Sequence, residues 1–187
     1  MSKLTLARAK EILAKHTSEA HLFTHAAAVS AAMGAMAEHF HADKEHWEAI
    51  GWLHDVDYEK FPQEHCQHVR ELLEPEGVEE SDIQTIISHG YGITTDAVEP
   101  ATDIAKSLFA VDELTGIVHA YALMRPERMD GMSVKSLKKK FKDKRFAAKC
   151  DRSIIQRGFD MLGMEPDEVM ECCIRGMQEH KDELDFQ

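Results

Sequence analysis

The sequence lacks the features that mark secreted and membrane proteins. No apolar run approaches the roughly 20 residues that a membrane span requires. The first residues, MSKLTLARAKEILAKH, have neither an uninterrupted apolar core nor a small-residue cleavage site. The four cysteines show no CxxC pair and no spacing typical of a disulfide framework, so we expect reduced thiols. We therefore predict a cytoplasmic protein that does not contact a membrane.

Basic charge is also scarce, because the formal net charge at pH 7 is −12. This acidity argues against binding of duplex nucleic acid, which requires a basic surface. One exception is the segment 135–149, which holds eight Lys or Arg and a single Asp. Such an island indicates either a local anion site or a solvated helix. No P-loop, dinucleotide fingerprint or serine-hydrolase motif occurs, so the sequence does not support an ATP motor, a dehydrogenase or a serine esterase.

Strand-like alternation is absent as well, and apolar residues recur at helical spacing along nearly the whole chain. A length of 187 residues suits one domain with a sizeable core. We predict a single all-α domain of about eight helices. The predicted helices begin near residues 4, 19, 43, 62, 81, 100, 147 and 166. The Met- and Ala-rich stretch from Met33 to Met36 suggests a surface that supports a homodimer.

Several polar residues fall where these helices should be buried. His25 lies three residues after Leu22 and four before Val29, on the inward stripe of the second helix. Asp112 lies four residues after Leu108, on or beside the buried stripe of the sixth helix. A buried, ionised Asp without a partner is costly, so Asp112 requires either an internal Arg or another cation.

His54 and Asp55 directly follow two apolar residues at the predicted end of the third helix. Negative charge at a helix C-terminus is unfavourable by roughly 0.3–1 kcal/mol unless a cation lies nearby. A divalent metal held by His25, His54, Asp55 and Asp112 would satisfy all four polar groups. Mixed imidazole and carboxylate donors suit Mn, Fe, Co, Ni or Zn better than Ca.

The order His25, then His54-Asp55, then Asp112 resembles the signature of the HD-domain superfamily of metal-dependent phosphohydrolases. The stretches LHDVDYEKFPQEH, FAVDELTG and ALMRPERMDGMSVKSLKKKFKDKRFA look like an uncharacterised bacterial branch of that superfamily. The resemblance covers roughly residues 20–165. It implies an HD-type helical bundle over residues 1–187, with the metal-site core at about 20–125 and C-terminal helices from 133 to 187 packed on it.

The resemblance also implies roles for individual residues. His25, His54, Asp55 and Asp112 match the family's metal ligands. Some members bind a second metal through two further histidines, for which His65 and His89 are the candidates, and His68 is an alternative to His65. In those members the Asp that corresponds to Asp55 bridges the two ions. Asp55 is therefore the expected catalytic residue, as bridging ligand and proton acceptor for a metal-bound hydroxide that attacks phosphorus.

The expected substrate is a nucleotide or another small phosphoester. Arg125, Lys135 and Lys139 are the candidates to bind its remaining phosphate oxygens. Two alternatives stay open: a di-iron oxygenase on the same architecture, and a non-catalytic regulator that binds nucleotide. The number of metal ions, one or two, also stays open.

Overall fold

In the computed structural model, residues 3–184 and 186 are described, and these residues form nine α-helices and no β-strand. The prediction of an all-α protein is confirmed. Short 3-10 turns cover Pro62–Glu64, Glu74–Glu76 and Lys181–Glu183. The helices are α1 (Leu6–His16), α2 (Ala20–His39), α3 (Lys44–Leu53), α4 (Val69–Leu73), α5 (Glu80–Ser88), α6 (Asp103–Met124), α7 (Val134–Lys142), α8 (Arg152–Leu162) and α9 (Pro166–Glu179).

Helix α2 lies at the centre and packs against α3, α6 and α9. Residues 26–37 are all buried, a much wider surface than the single inward stripe that the periodicity predicts. Met33 and Met36 are completely buried in this core. The prediction that this stretch is an exposed surface is therefore wrong, because neighbouring helices cover it, and the homodimer itself stays a prediction.

Helices α3 and α6, which precede or contain the polar residues of interest, each begin after a residue whose side chain caps the helix. Helix α3 begins after Asp43, whose side chain accepts a hydrogen bond from the His46 N–H at 3.2 Å. Helix α6 begins after Thr102, whose hydroxyl accepts one from the Ala105 N–H, also at 3.2 Å. Each such cap typically stabilises a helix by about 1 kcal/mol. The caps fix where α3 and α6 begin, and therefore the register of the residues that follow along each helix.

A glycine sets the distance between α2 and α3. A Cβ added at Gly51 would lie 2.8 Å from the Cα of Ser30, so only glycine allows the two backbones to come this close. This approach lies near the end of α3 and brings the first half of α2 alongside it. His25 on α2 therefore lies beside His54 at the end of α3.

The helix predicted to start at Pro62 is interrupted. A 3-10 turn covers Pro62–Glu64, and α4 begins only at Val69. The reason is Cys66, whose φ of 71° lies in the left-handed region and cannot continue a right-handed helix. His65 consequently belongs to a tight turn between the 3-10 turn and α4, and not to the first turn of a helix.

The C-terminal helices complete the core. Helix α8 packs on α6, and α9 packs on α2. All four cysteines are free thiols. In the described part of the chain, none of the helices is both long enough and apolar enough to cross a membrane.

Candidate metal centre

Four of the residues selected from the sequence converge on one point. The Nε2 atom of His25 lies 3.1 Å from Nε2 of His54 and 3.0 Å from Oδ1 of Asp112. Asp55 places Oδ2 at 3.3 Å from both of these imidazole nitrogens. A fifth distance, from His54 Nε2 to Asp112 Oδ1, is 3.2 Å. Donor atoms from α2, α6 and the turn after α3 thus meet within hydrogen-bonding distance of one another.

These separations match those that a shared metal ion would impose. Two donor atoms, each about 2.1 Å from one ion, lie about 3.0 Å apart at a right angle and about 3.4 Å apart at the tetrahedral angle. The observed distances among the four donors run from 3.0 to 3.3 Å. Hydrogen bonds alone explain the arrangement poorly, because the single Nε2 proton of His25 cannot serve three neighbours at once.

The orientation of His54 supports this interpretation. Its Nδ1–H donates a hydrogen bond of 2.7 Å to the Gly51 carbonyl, and its side chain is completely buried. In the neutral imidazole the proton is therefore on Nδ1, which leaves the Nε2 lone pair directed at His25, Asp55 and Asp112. Gly51 thus has two roles: it allows α2 and α3 to approach closely, and its carbonyl orients His54.

A second group of donors lies on the other side of Asp55. Oδ1 of Asp55 is 3.1 Å from His65 Nε2 and 3.5 Å from His89 Nε2. The two imidazole nitrogens are 3.0 Å apart. The carboxylate of Asp55 therefore directs one oxygen to each group, Oδ2 toward His25 and His54 and Oδ1 toward His65 and His89. The chain has two adjacent donor groups that share one carboxylate.

Sequence reasoning missed the residue that orients His65. Asp57 is completely buried, and its Oδ1 accepts a hydrogen bond of 2.8 Å from His65 Nδ1–H. Its Oδ2 accepts a second one, of 3.2 Å, from the His68 backbone N–H. On the other ring of this group, Nδ1–H of His89 donates to the Ile86 carbonyl. Both rings are therefore held with Nε2 toward Asp55. The available signal was a second Asp two residues after the His-Asp pair.

Cys66 is a further member of the second group that the sequence does not single out. Its sulfur lies 3.6 Å from Nε2 and 3.8 Å from Nδ1 of His89, and the residue is buried. His65, Cys66 and His89 form one group that could hold a metal ion, and His25, His54 and Asp55 form another. His54, His89 and Asp112 form a third such group, which links the two sides of Asp55. The nearly equal distances to both nitrogens place the sulfur beside the His89 ring, away from the axis of the Nε2 lone pair.

The carboxylates and imidazoles shift one another's pKa values strongly. Burial opposes ionisation of Asp112, but the charge of His54 and the hydrogen bond with His25 hold its pKa well below the usual range. Burial likewise opposes protonation of His25, but hydrogen bonds with Asp112 and Asp55 raise its pKa to about 10. Without a metal, the positive charge that these carboxylates need comes from protonated imidazoles. A metal ion would replace those protons.

His68, the alternative to His65, does not join the cluster. Its Nδ1 lies 3.1 Å from Glu71 Oε2, its Nε2 lies 3.1 Å from Glu64 Oε2, and its ring stacks on Phe61. Both ring nitrogens are occupied at the surface. Among the two candidates, the structure brings only His65 to Asp55.

A cavity of about 380 Å³, called here the cluster cavity, opens over Asp55, Asp112 and His65. Tyr58, Glu113 and Lys149 also line it. Burial, together with the charge of Asp112, raises the pKa of Glu113 to about 7. Lys149 is exposed and forms no ion pair with any residue that the structure describes. Among the described residues that line the cluster cavity, Lys149 is the only Lys or Arg.

The three cations predicted to bind phosphate lie elsewhere. Arg125 is 13 residues beyond Asp112 at the end of α6, about 20 Å along the axis, and its guanidinium donates to the carbonyls of Arg128 and Asp130. Lys135 and Lys139 line a separate groove on α7. None of these three side chains lines the cluster cavity, and their role in binding phosphate stays a prediction. Helical spacing does not reveal this separation in space, because the long α6 lies between Asp112 and the basic segment.

Comparison of the chain with protein-family models, with curated proteins and with solved structures finds no match.

Proposed function

We propose that the protein is a metal-dependent hydrolase of small phosphoesters with a centre for two divalent ions. The observation that carries the proposal is the position of Asp55, whose two oxygens face two separate donor groups. In chain order the six donors are His25, His54, Asp55, His65, His89 and Asp112. This order, with two histidines between the His-Asp pair and the last Asp, supports the resemblance to the binuclear members of the HD-domain superfamily.

The donor set favours first-row transition metals. Four imidazoles and two carboxylates suit Mn, Fe, Co, Ni or Zn, whereas Ca and Mg prefer sites made only of oxygen donors. When bound, such ions lower the pKa of water and neutralise phosphoryl oxygens. Asp55 would be a ligand of both ions, and Asp57 and the Gly51 carbonyl hold the imidazoles of His65 and His54 with the Nε2 lone pair free to bind metal.

Proton transfer is better assigned to Glu113 than to Asp55. The cluster lowers the pKa of Asp55 well below its usual value despite burial, so that carboxylate is a weak base at neutral pH. Glu113 lines the same cavity and has a pKa of about 7. A group with that pKa can both accept and donate a proton near neutrality. Lys149, on the wall of the cavity, supplies positive charge for a phosphate oxygen.

Phosphate release from a panel of phosphoesters tests the proposal. We expect turnover by metal-loaded protein, loss of it with a chelator, and recovery with added Mn, Co or Zn. Asp112→Asn should lower kcat at least about 100-fold, because it removes a charged ligand from the cluster. Asp82→Asn is the matched control, since Asp82 binds His46 at 2.8 Å in a similar buried pair that lies outside the cluster. Equal activity in both variants, or none in the metal-loaded wild type, would refute the proposal.

A di-iron oxygenase is the second candidate, because the carboxylate-bridged histidine groups also suit two iron ions. The two functions are separable by experiment. An oxygenase requires iron at His65 and His89 and gives an oxygen-sensitive visible or EPR signal that His65→Ala abolishes. A regulator that binds nucleotide without catalysis would instead show ligand-induced stabilisation and no turnover.

A further inference from the structure

A second cavity adjoins the cluster cavity and has a different chemical character. It measures about 650 Å³ and runs between α2 and α6, and we call it the groove cavity. Ala20, Thr24 and Ala28 form its α2 wall, and Thr115 and Leu123 belong to its α6 wall. A volume of this size lies within the range of about 300–1,000 Å³ that is typical of small-molecule sites.

The two cavities are continuous at the metal centre. Both are lined by His21, His25 and Gly116. Gly116 follows Asp112 by four residues and therefore lies on the same face of α6, one turn away. A Cβ added at Gly116 would lie 2.9 Å from Sγ of Cys150, so the absence of a side chain at Gly116 leaves room for Cys150. A molecule whose phosphate sits at Asp55 and Asp112 can extend past His25, which lines both cavities, into the groove cavity.

The charges of the two cavities differ. Lys149 lines the cluster cavity, whereas no Lys or Arg is found among the described residues that line the groove cavity. Glu19 is its acidic residue, and His21, His25 and His119 are its other titratable side chains. A second or third phosphate in the groove cavity would lose part of its hydration without meeting a Lys or Arg, and it would be repelled by Glu19. An uncharged group meets no such penalty and gains contacts with the methyl and methylene groups of Ala28, Thr115 and Leu123.

We infer that the substrate is a phosphomonoester of an uncharged organic group that occupies the groove cavity. This inference rests on the proposed hydrolase function and narrows its substrate class. It disfavours compounds with a further anionic group, such as nucleoside di- and triphosphates. The cluster recognises the phosphate, and the groove cavity distinguishes among the groups attached to it.

Binding of phosphonates tests this inference without interference from leaving-group chemistry. The probes are methylphosphonate, 1-naphthylmethylphosphonate and 2-carboxyethylphosphonate, measured by calorimetry with metal-loaded protein. We expect the naphthyl compound to bind at least about tenfold more tightly than methylphosphonate, and the carboxyethyl compound to bind no more tightly than methylphosphonate. Equal affinity for the first two, or tightest binding of the carboxylate, would overturn the inference.

Substitutions in the groove cavity locate the effect. Thr24→Phe fills the cavity from α2, and Ala20→Trp does so from an exposed position that tolerates a large side chain. Each should reduce the naphthyl preference at least about fivefold. Ala14→Phe adds the same ring as the first variant at an exposed site on α1 that lines neither cavity, and it should keep the preference. A preference that survives both groove substitutions refutes the inference.

The outcomes also distinguish this inference from the hydrolase proposal. If the naphthyl preference depends on Thr24 and Ala20 but no phosphoester in the panel is hydrolysed, the groove cavity is a binding site and the hydrolase proposal fails. If phosphoesters are hydrolysed but the preference is absent, the hydrolase proposal stands and the assignment of the groove cavity is wrong.

Discussion

Asp57→Asn is the sharpest test of the second donor group, because Asp57 contacts no metal donor except His65. Its two oxygens accept hydrogen bonds from two different donors, His65 Nδ1–H and the His68 backbone N–H. Asparagine has nearly the same shape but only one accepting oxygen. If that oxygen keeps the His68 N–H, the amide NH₂ faces His65 and forces the proton onto Nε2. The lone pair that should bind a metal is then lost.

The expected size of this effect follows from the role of such supporting carboxylates. Removing one typically weakens metal affinity 10- to 100-fold, or about 1.4–2.7 kcal/mol. Only the group that contains His65 and His89 should be affected, since His54 is oriented separately by the Gly51 carbonyl. We therefore expect two metal equivalents in the wild type and one tight equivalent in Asp57→Asn.

Metal titration by calorimetry, with metal content measured after desalting, provides the assay. Asp82→Asn is again the control, because it breaks a buried Asp–His pair of the same 2.8 Å length at His46. That variant should lose a comparable amount of fold stability and keep both metal equivalents. If Asp57→Asn retains two equivalents with affinities within threefold of the wild type, the role assigned to Asp57 is wrong.

Three further predictions rest on the same geometry. His25 has a pKa of about 10 in the fold against an ordinary value of 6.5, so its contribution to stability is complete below pH 6.5 and is lost as the pH rises to 10. Chemical denaturation of chelator-treated protein should accordingly show unfolding free energy falling by up to about 1.4 kcal/mol per pH unit over this range, and a flat profile would contradict it. Gly51→Ala should lower the free energy of unfolding by about 1–3 kcal/mol, because the added Cβ meets the backbone of Ser30 at 2.8 Å. A loss below about 0.5 kcal/mol, the size expected of a neutral surface substitution, would show that α2 and α3 can move apart. His68→Ala should leave metal stoichiometry unchanged, and loss of an equivalent would place His68 in the centre.

Helical periodicity was enough to predict the positions of His25 and Asp112. Both lie on long helices, where a residue's face follows directly from its spacing to apolar neighbours. The same rule underestimated the burial of α2, because periodicity identifies an inward stripe but does not tell how many helices surround it. Met33 and Met36 lie on the inward stripe and belong to the core, although the Met- and Ala-rich composition of this stretch suggests an exposed dimer surface.

The second donor group depends on a feature that periodicity cannot predict. The segment after Pro62 has a composition compatible with a helix, and only the left-handed conformation of Cys66 interrupts it. That interruption turns His65 back toward Asp55 and Asp57. A non-glycine residue with positive φ is uncommon and depends on tertiary contacts, so a single sequence gives little indication of it. The resemblance to a known family suggested His65; the spacing of residues did not.

The charge balance of the cluster explains why so many histidines surround so few carboxylates. Within the described part of the chain, the ion-pair partners of Asp55, Asp57 and Asp112 are all histidines, and no Lys or Arg is among them. A permanent cation in this place would stabilise the fold but would also keep a metal out by repulsion and by occupying the carboxylate oxygens. Imidazoles avoid both effects, because they carry positive charge while the centre lacks metal and become neutral ligands when they lose a proton. Each metal ion that binds must therefore displace protons, and metal affinity should rise with pH over the range in which His25 titrates.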